Sequence, residues 1–171
     1  MIATSDIADA LGAAARSATM RWQRYGGRQA FHGTVSTLRC PAAAGLLRQC
    51  IEQPGHGRVL VVDAGGQLSA AVLGDRMAAL AQRHGWQGLV IHGAVRDVDG
   101  LRQMDIGVLA LGATPLRGSF ELAGECDVPL TLGELRLRPG EHIFCDGDGI
   151  VVCSAADARK VASLQAGSSC G

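Results

Sequence analysis

The chain has 171 residues, with 16 basic and 16 acidic side chains and a formal net charge of zero. This length suits one domain with a real core, and the neutral balance argues against direct binding of nucleic acid. Because no basic region leads into an apolar stretch near the N-terminus, and no apolar run approaches about 18 residues, we expect no secretory signal and no membrane span, and therefore a cytoplasmic protein.

The first third of the chain alternates helix and strand signals. The Thr-Ser-Asp sequence at 4–6 is typical of a helix cap and predicts a helix over residues 7–20. A strand is predicted over residues 30–38 and a helix over residues 42–52. The continuous apolar run at 59–62, rich in valine, predicts a strand buried on both faces.

The middle third continues this alternation. A helix is predicted over residues 70–84, with Gly74 and Asp75 at or near its working N-terminus and Gly85 at its end. A strand, a short helix and another strand follow, at residues 88–91, 101–104 and 106–110.

The last third is rich in short strands separated by glycine turns, at residues 128–132, 135–137, 142–145 and 150–153. A final helix begins at about residue 155. Since no linker separates the βα part from the β-rich part, we predict one mixed α/β domain over residues 1–171.

Several common sites are not supported by the sequence. The six cysteines lack C-x-x-C spacing, so free thiols are expected rather than disulfides or zinc ligands. The five histidines lack metal-ligand spacing, although His92 could face a site nearby. Gly65-Gly66 follows a strand, but no G-x-G-x-x-G fingerprint is present, which excludes a dinucleotide site of that type.

The most informative pattern is Asp75, twenty further residues, and then the pair Arg96-Asp97. Two carboxylates and a guanidinium, each at the end of a regular element, are suited to a metal-assisted site for a small anionic keto acid. Taken singly, each has a structural interpretation: Asp75 as a helix N-cap, Arg96-Asp97 as a surface ion pair, and Asp99 as the N-cap of the next helix.

With its neighbours, this pattern resembles the RraA-like family over residues 4–153. That family includes class II 4-hydroxy-4-methyl-2-oxoglutarate/4-carboxy-4-hydroxy-2-oxoadipate aldolases and regulators of ribonuclease E activity. The segments that carry the resemblance are Thr4-Ser5-Asp6-Ile7, Tyr25-Gly26-Gly27-Arg28, Val61-Val62-Asp63, Gly74-Asp75, His92 to Val98, Asp105-Ile106-Gly107 and Asp146 to Val152. At Ala43-Ala44 the chain departs from the Asp-Asn of many members.

The resemblance implies a swivelling-type α/β sandwich, with mixed sheets and flanking helices, that assembles as a trimer or a hexamer. It implies Asp97 as the ligand of Mg²⁺ or Mn²⁺ and Arg96 as a catalytic contact to the substrate and its enolate. It further implies that Gly74, Asp75, Arg76 and Met77 hold the substrate carboxylate, and that Asp75 positions a metal-bound water.

The chemistry expected from this resemblance is cleavage of a 4-hydroxy-2-oxo acid to pyruvate. Removing CO₂ from oxaloacetate leaves the same enolate, so decarboxylase activity is expected as well. The alternative is a non-catalytic binder that restrains ribonuclease E by protein–protein contact. A methyltransferase is a third label attached to the family, and the absence of a cofactor-binding glycine fingerprint argues against it.

Overall fold

Regular structure accounts for most of the described chain, which comprises residues 2–41 and 43–168 of a computed structural model, without the side chains of residues 164–168. The helices are α1 (Thr4–Leu11), α2 (Gly45–Ile51), α3 (Asp75–Arg83), α4 (Val98–Arg102) and α5 (Ala155–Ser168), with a 3₁₀ turn at Gly12–Ala14. The strands are β1 (Gln23–Arg24), β2 (Phe31–Arg39), β3 (Val59–Asp63), β4 (Ala71–Leu73), β5 (Gly88–Val95), β6 (Gly107–Ala113), β7 (Glu125–Cys126), β8 (Leu130–Leu132), β9 (Leu135–Leu137), β10 (His142–Cys145) and β11 (Ile150–Cys153).

One mixed sheet organises the molecule, in the order β1-β6-β5-β3-β2-β10-β11. Its centre, β2-β3-β5-β6, is parallel, whereas β1, β10 and β11 pair antiparallel at its two sides. β4 adds to β5 and β7 adds to β2, while β8 and β9 form a separate hairpin. This curled mixed sheet with flanking helices confirms the predicted α/β class.

Alternation along β3 explains how both faces of the sheet are covered. Leu60 and Val62 point to the core beneath α2, α3 and α4, which also holds the fully buried Leu47 and Leu101. Val59 and Val61 point to the opposite core, where four leucines of the β8–β9 hairpin pack. The apolar run at 59–62 is therefore buried on both sides, as predicted.

The predicted helix over residues 7–20 is wrong in its second half. α1 ends at Leu11, because Gly12 adopts φ +53° and donates its N–H to Ala8 O. Thr4 does not cap the helix either. Its N–H and its hydroxyl both donate to the Asp146 carboxylate at 2.7 Å, which ties α1 to the turn between β10 and β11.

The helix predicted over residues 70–84 is also shorter than expected. Ala71–Leu73 forms β4, which pairs parallel to β5, and only Asp75–Arg83 is helical. Alanine and leucine have high helix propensity, but pairing with β5 overrides that local preference. Gly74, extended at φ −130° and ψ −177°, is the N-cap of α3, so the predicted working N-terminus at Gly74-Asp75 is correct.

Smaller differences concern several other segments. β1 and β7 were not predicted, and β5 extends to Val95 rather than ending at residue 91. The predicted helix over 42–52 begins at Gly45, and residue 42 lies outside the described residues. The N-cap of α4 is Asp97 rather than Asp99, which lies inside the helix.

Candidate functional site

The two halves of the Asp75-x20-Arg96-Asp97 pattern meet because β4 and β5 are paired and run in the same direction. Leu73 is in register with Val95, and the Arg96 N–H donates to Leu73 O at 2.9 Å. The carboxyl ends of both strands therefore lie side by side, where Gly74 is the N-cap of α3 and Asp97 is the N-cap of α4. Parallel α/β sheets commonly bind ligands at the carboxyl ends of their strands.

Asp97 has an unusual backbone conformation, with φ 58° and ψ 43°. Left-handed geometry at a non-glycine residue costs about 1–3 kcal/mol and is concentrated at functional sites. Its carbonyl oxygen accepts the Leu101 N–H at 3.0 Å, so the start of α4 holds the turn in place. Its carboxylate projects beside Arg96, whose Nε donates to Asp97 Oδ2 at 3.2 Å.

Gly74 leaves the space that this carboxylate occupies. A Cβ atom added at position 74 would lie 2.5 Å from Asp97 Oδ2 and 3.3 Å from Arg96 Cγ. No side chain fits there without moving Asp97 or Arg96. The glycine is therefore required by close approach to the Arg-Asp pair, since its φ lies in a range open to any residue.

Asp75 is anchored at the first turn of α3. Its Oδ1 accepts the Arg76 N–H at 2.6 Å. Its Cβ lies close to α4, since a Cβ atom added at Gly100 would be 3.1 Å from it. The first N–H groups of a helix have no intrahelical acceptor and attract anions. One of the amides expected to hold a substrate carboxylate is thus already bonded to Asp75, and an incoming anion has to share or displace that bond.

These residues line one cleft of about 340 Å³. Its walls are formed by Gly74, Asp75, Arg76, Met77, Arg96, Asp97, Arg117 and Phe120. All six residues singled out from the sequence are thus brought together, while their individual roles stay predictions. The side chains of Arg96 and Asp97 are 33% and 37% exposed, so a ligand in the cleft can reach both.

Arg117 and Phe120 were missed by the sequence analysis. They lie on the segment between β6 and β7, which is fixed to the site by backbone bonds: Gly118 N–H donates to Ala71 O, and Ala44 N–H donates to Ser119 O. The Arg117 guanidinium carbon lies 4.9 Å from the centre of the Phe120 ring, a cation–π contact. No local sequence pattern marks these two residues, because hydrogen bonds to distant segments of the chain place them in the cleft.

The cleft combines three guanidinium groups with two carboxylates, an excess of one positive charge over its lining residues. Among the side chains that the structure describes, no group of three or more His, Cys, Asp or Glu residues could hold a metal ion. That composition is unsuited to zinc, which takes three or four protein ligands. It fits Mg²⁺, which keeps several waters and often takes about one or two carboxylates. Asp97 would hold such an ion, and Asp75 lines the same cleft.

His92, which could have faced this site, is not among the described residues that line the cleft. Its Nδ1 lies 2.9 Å from Asp63 Oδ1, across neighbouring strands β5 and β3. This hydrogen bond is the main cause that lowers the pKa of the Asp63 carboxyl, and the Gly65 N–H, which donates to the same oxygen, lowers it further. The pair stabilises the turn after β3 at the edge of the sheet.

A sequence profile of the RraA-like family, described as Aldolase/RraA, matches residues 4–152. The chain belongs to the RraA-like family. Within the described residues, none of the helices combines the length and the apolar character that a membrane crossing requires.

Relatives of this RraA-like chain carry different names. A protein from Pseudomonas syringae pv. tomato (strain ATCC BAA-871 / DC3000), named "Putative 4-hydroxy-4-methyl-2-oxoglutarate aldolase", is 42% identical over 149 residues, which are 87% of this chain and 92% of the relative. The RNA-processing inhibitor RraA from Thermus thermophilis is 41% identical, with a TM-score of 0.87 over 90% of this chain and 93% of that one.

A third relative has yet another name. The S-adenosylmethionine:2-dimethylmenaquinone methyltransferase from Geobacillus kaustophilus HTA426 is 36% identical, also with a TM-score of 0.87, over 90% of this chain and 95% of that one. These names differ although both solved structures share the fold of this chain. The chemistry of the cleft therefore has to decide between the functions.

Proposed function

We propose that this protein is a divalent-metal-dependent aldolase that cleaves 4-hydroxy-4-methyl-2-oxoglutarate and similar 2-oxo acids to pyruvate, and that it also decarboxylates oxaloacetate. The observation that carries the proposal is the cleft in which Arg96, Asp97 and the first turn of α3 converge. The aldolase name of the Pseudomonas relative supports it.

The reaction develops negative charge on the C2 oxygen of the pyruvyl group when the C3–C4 bond breaks. Arg96 presents a fixed set of N–H donors to that oxygen, and its Nε contact with Asp97 fixes the orientation of the guanidinium plane. Asp97 would hold Mg²⁺ or Mn²⁺, and the ion would supply Lewis-acid stabilisation of the same charge. The free N–H groups in the first turn of α3 bind the C1 carboxylate.

Cleavage also requires that the C4 hydroxyl lose its proton, and Asp75 is suited to assist this step. Its Oδ1 is held by the Arg76 N–H, and it lies against α4 at Gly100. We assign Asp75 to orient the water that receives this proton. In this role Asp75 affects the rate of cleavage more than the binding of the pyruvyl group.

Arg117 is suited to the far end of the substrate. The substrates proposed here carry a second carboxylate, and Arg117 is the third guanidinium of the cleft, held against the half-exposed Phe120 ring. We assign it to that distal carboxylate. Arg117→Ala should raise the KM for oxaloacetate more than it lowers kcat.

The test is pyruvate release from 4-hydroxy-4-methyl-2-oxoglutarate and from oxaloacetate, with Mg²⁺ or Mn²⁺ and with a chelator added. We expect turnover of both substrates that the chelator abolishes and the metal restores. If neither substrate is turned over with metal present, the enzyme hypothesis is wrong.

The second candidate function is restraint of ribonuclease E by protein–protein contact, which the 41% identity to the Thermus RNA-processing inhibitor favours. A pull-down with the endonuclease, paired with an RNA-cleavage assay, tests it. Absence of both binding and inhibition would remove this candidate.

A trimer or hexamer is part of the proposal. Among the side chains that the structure describes, the exposed large apolar ones are Leu68, Leu116, Phe120 and Leu122. The last three lie on the segment that carries Arg117. Because Phe120 lines the cleft and Leu116 and Leu122 flank it in the chain, this apolar surface favours a site completed by a neighbouring copy. Light scattering after size-exclusion chromatography would give the copy number. The cytoplasmic location and the single domain over residues 1–171 stay predictions.

A further inference from the structure

Two cysteine sulfurs lie in direct contact away from the cleft. Cys50 of α2 and Cys126 of β7 are 76 residues apart in sequence, yet their Sγ atoms are 2.9 Å from each other. Both are free, as are the other cysteines described. We propose that Cys50 and Cys126 form a reversible disulfide, which makes this contact a redox-sensitive modification site. The proposal does not depend on the aldolase function.

Small oxidants can reach this pair from solvent. Both cysteines line a cavity of about 200 Å³, separate from the cleft, and Cys126 is exposed. In contrast, Cys40, Cys145 and Cys153 are buried. Exposure is a main determinant of which cysteines are oxidised.

Arg58, which also lines this cavity, is held by contacts within the protein. Arg58 donates to Ser36 Oγ, Gly55 O and Pro54 O at 2.7–3.0 Å. Its guanidinium carbon also lies 4.9 Å from the centre of the Trp86 ring. Arg58 is thus positioned by the protein, and the two thiols are the lining groups that a peroxide readily oxidises.

The oxidation is balanced with a peroxide as oxidant. The Cys126 sulfur attacks one peroxide oxygen, the O–O bond breaks, and the product is a sulfenic acid and water. The Cys50 sulfur then attacks the Cys126 sulfur, and the sulfenic oxygen leaves as a second water. Two thiols and one hydrogen peroxide thus give one disulfide and two waters. Burial raises the pKa of the Cys50 thiol, and Cys126 is the more exposed of the two, so Cys126 meets the peroxide first.

The bond would join α2 to the strand that follows the Arg117 segment. At the other end of α2, Ala44 already donates its N–H to Ser119 O at 2.8 Å. Closing a loop of 76 residues removes conformational entropy from the unfolded chain. We expect the oxidised protein to melt roughly 5–10 °C above the reduced protein.

Peptide mapping identifies the partners without ambiguity. Trypsin cleaves after Arg39, Arg48, Arg58, Arg117 and Arg136, which places Cys40, Cys50 and Cys126 in three different peptides, 40–48, 49–58 and 118–136. After treatment of the reduced protein with a small excess of hydrogen peroxide, we expect peptide 49–58 linked to peptide 118–136, with two hydrogens lost and release by dithiothreitol. A link from 118–136 to any other cysteine peptide, or over-oxidised Cys126 without a link, would overturn the proposal.

Two variants separate this pair from the neighbouring buried thiol. Cys40→Ser should leave the 49–58 to 118–136 link and the melting difference unchanged. Cys50→Ala should abolish both, while circular dichroism shows that the variant is folded. A melting difference that persists in Cys50→Ala would mean that another group is oxidised, and would contradict the assignment.

Discussion

Asp97 combines a left-handed backbone conformation with a partly exposed carboxylate, and it lines the cleft. Of the three non-glycine residues with positive φ in the described chain, it is the one in this cleft. Its neighbour Gly74 provides the space, and α4 holds the turn. Because asparagine tolerates the left-handed region, the charge can be removed there with little change to the backbone.

Asp97→Asn is therefore the sharper test of the metal ligand than an alanine substitution. We expect metal-dependent pyruvate formation to fall by about 100-fold or more, because the anionic ligand is lost while the fold stays intact. Asp99→Asn is the matched control, since Asp99 is almost fully exposed and pairs only with Arg102 in the described structure. Equal activity in the two variants would remove Asp97 from this role.

Gly74→Ala tests whether the geometry of the Arg-Asp pair matters. The new methyl group would lie 2.5 Å from Asp97 Oδ2, so the carboxylate has to move. We expect activity to fall by about tenfold or more, since displacements of about 1 Å at a site have large effects on rate. Gly147→Ala, where the nearest atom would be 3.7 Å away, should leave activity unchanged. A fully active Gly74→Ala variant would show that the pair tolerates displacement.

At the scale of elements, the contact between β5 and β6 depends on two glycines. Gly88 and Gly107 face each other in register, and the Phe31 ring of β2 fills the space that their side chains would take. A Cβ atom at position 107 would come within 2.1–2.4 Å of that ring. Phe31 is buried in the core beneath the β8–β9 hairpin, so it has little room to move.

Gly107→Ala should lower the free energy of unfolding by about 1–3 kcal/mol through overpacking. In a Phe31→Leu background the same change should cost less, because the ring that it meets has gone. Denaturant unfolding of the two single variants and the double variant measures this coupling. Strictly additive effects would mean that the new methyl group does not clash with the Phe31 ring.

The elements could be predicted from the sequence where burial and local pattern agree. The apolar run at 59–62 is an example, since it is a strand with both faces covered. Ala71–Leu73 could not be assigned in the same way, because only pairing with β5 makes it a strand. For the cleft, the Asp75-x20-Arg96-Asp97 pattern gave three lining residues, and the family resemblance added Gly74, Arg76 and Met77. Arg117 and Phe120 could not be predicted, because backbone hydrogen bonds to Ala71 and Ala44 place them in the cleft and no sequence pattern marks such bonds.

At the scale of the whole molecule, two histidines on the outer side of the sheet link stability to pH. His32 Nδ1 lies 3.1 Å from His142 Nε2, and both rings contact Phe144. Burial, with a smaller effect of His32, lowers the pKa of His142 from 6.5 to about 4. Burial also lowers the pKa of His32. The folded protein thus keeps these rings neutral at a pH where the unfolded chain binds protons.

Stability should consequently fall as the pH is lowered from about 6.5 to about 4, since the unfolded state binds more protons in that window. We expect His142 to account for about 1–2 kcal/mol of this loss, allowing for solvent screening. His142→Gln should flatten the pH dependence of the free energy of unfolding in this range. His84→Gln, at the end of α3, is the control. An identical slope in wild type and His142→Gln would contradict this account.

Stabilisation of a pyruvyl enolate in the cleft is measured most directly by exchange of the pyruvate methyl protons with deuterium oxide. We predict exchange, followed by proton NMR, that requires Mg²⁺ or Mn²⁺ and falls by about 100- to 1,000-fold in Arg96→Ala. Arg117→Ala should exchange at the wild-type rate, because pyruvate lacks a distal carboxylate. Exchange that is absent in the wild-type protein with metal, or unchanged in Arg96→Ala, would contradict enolate stabilisation in the cleft.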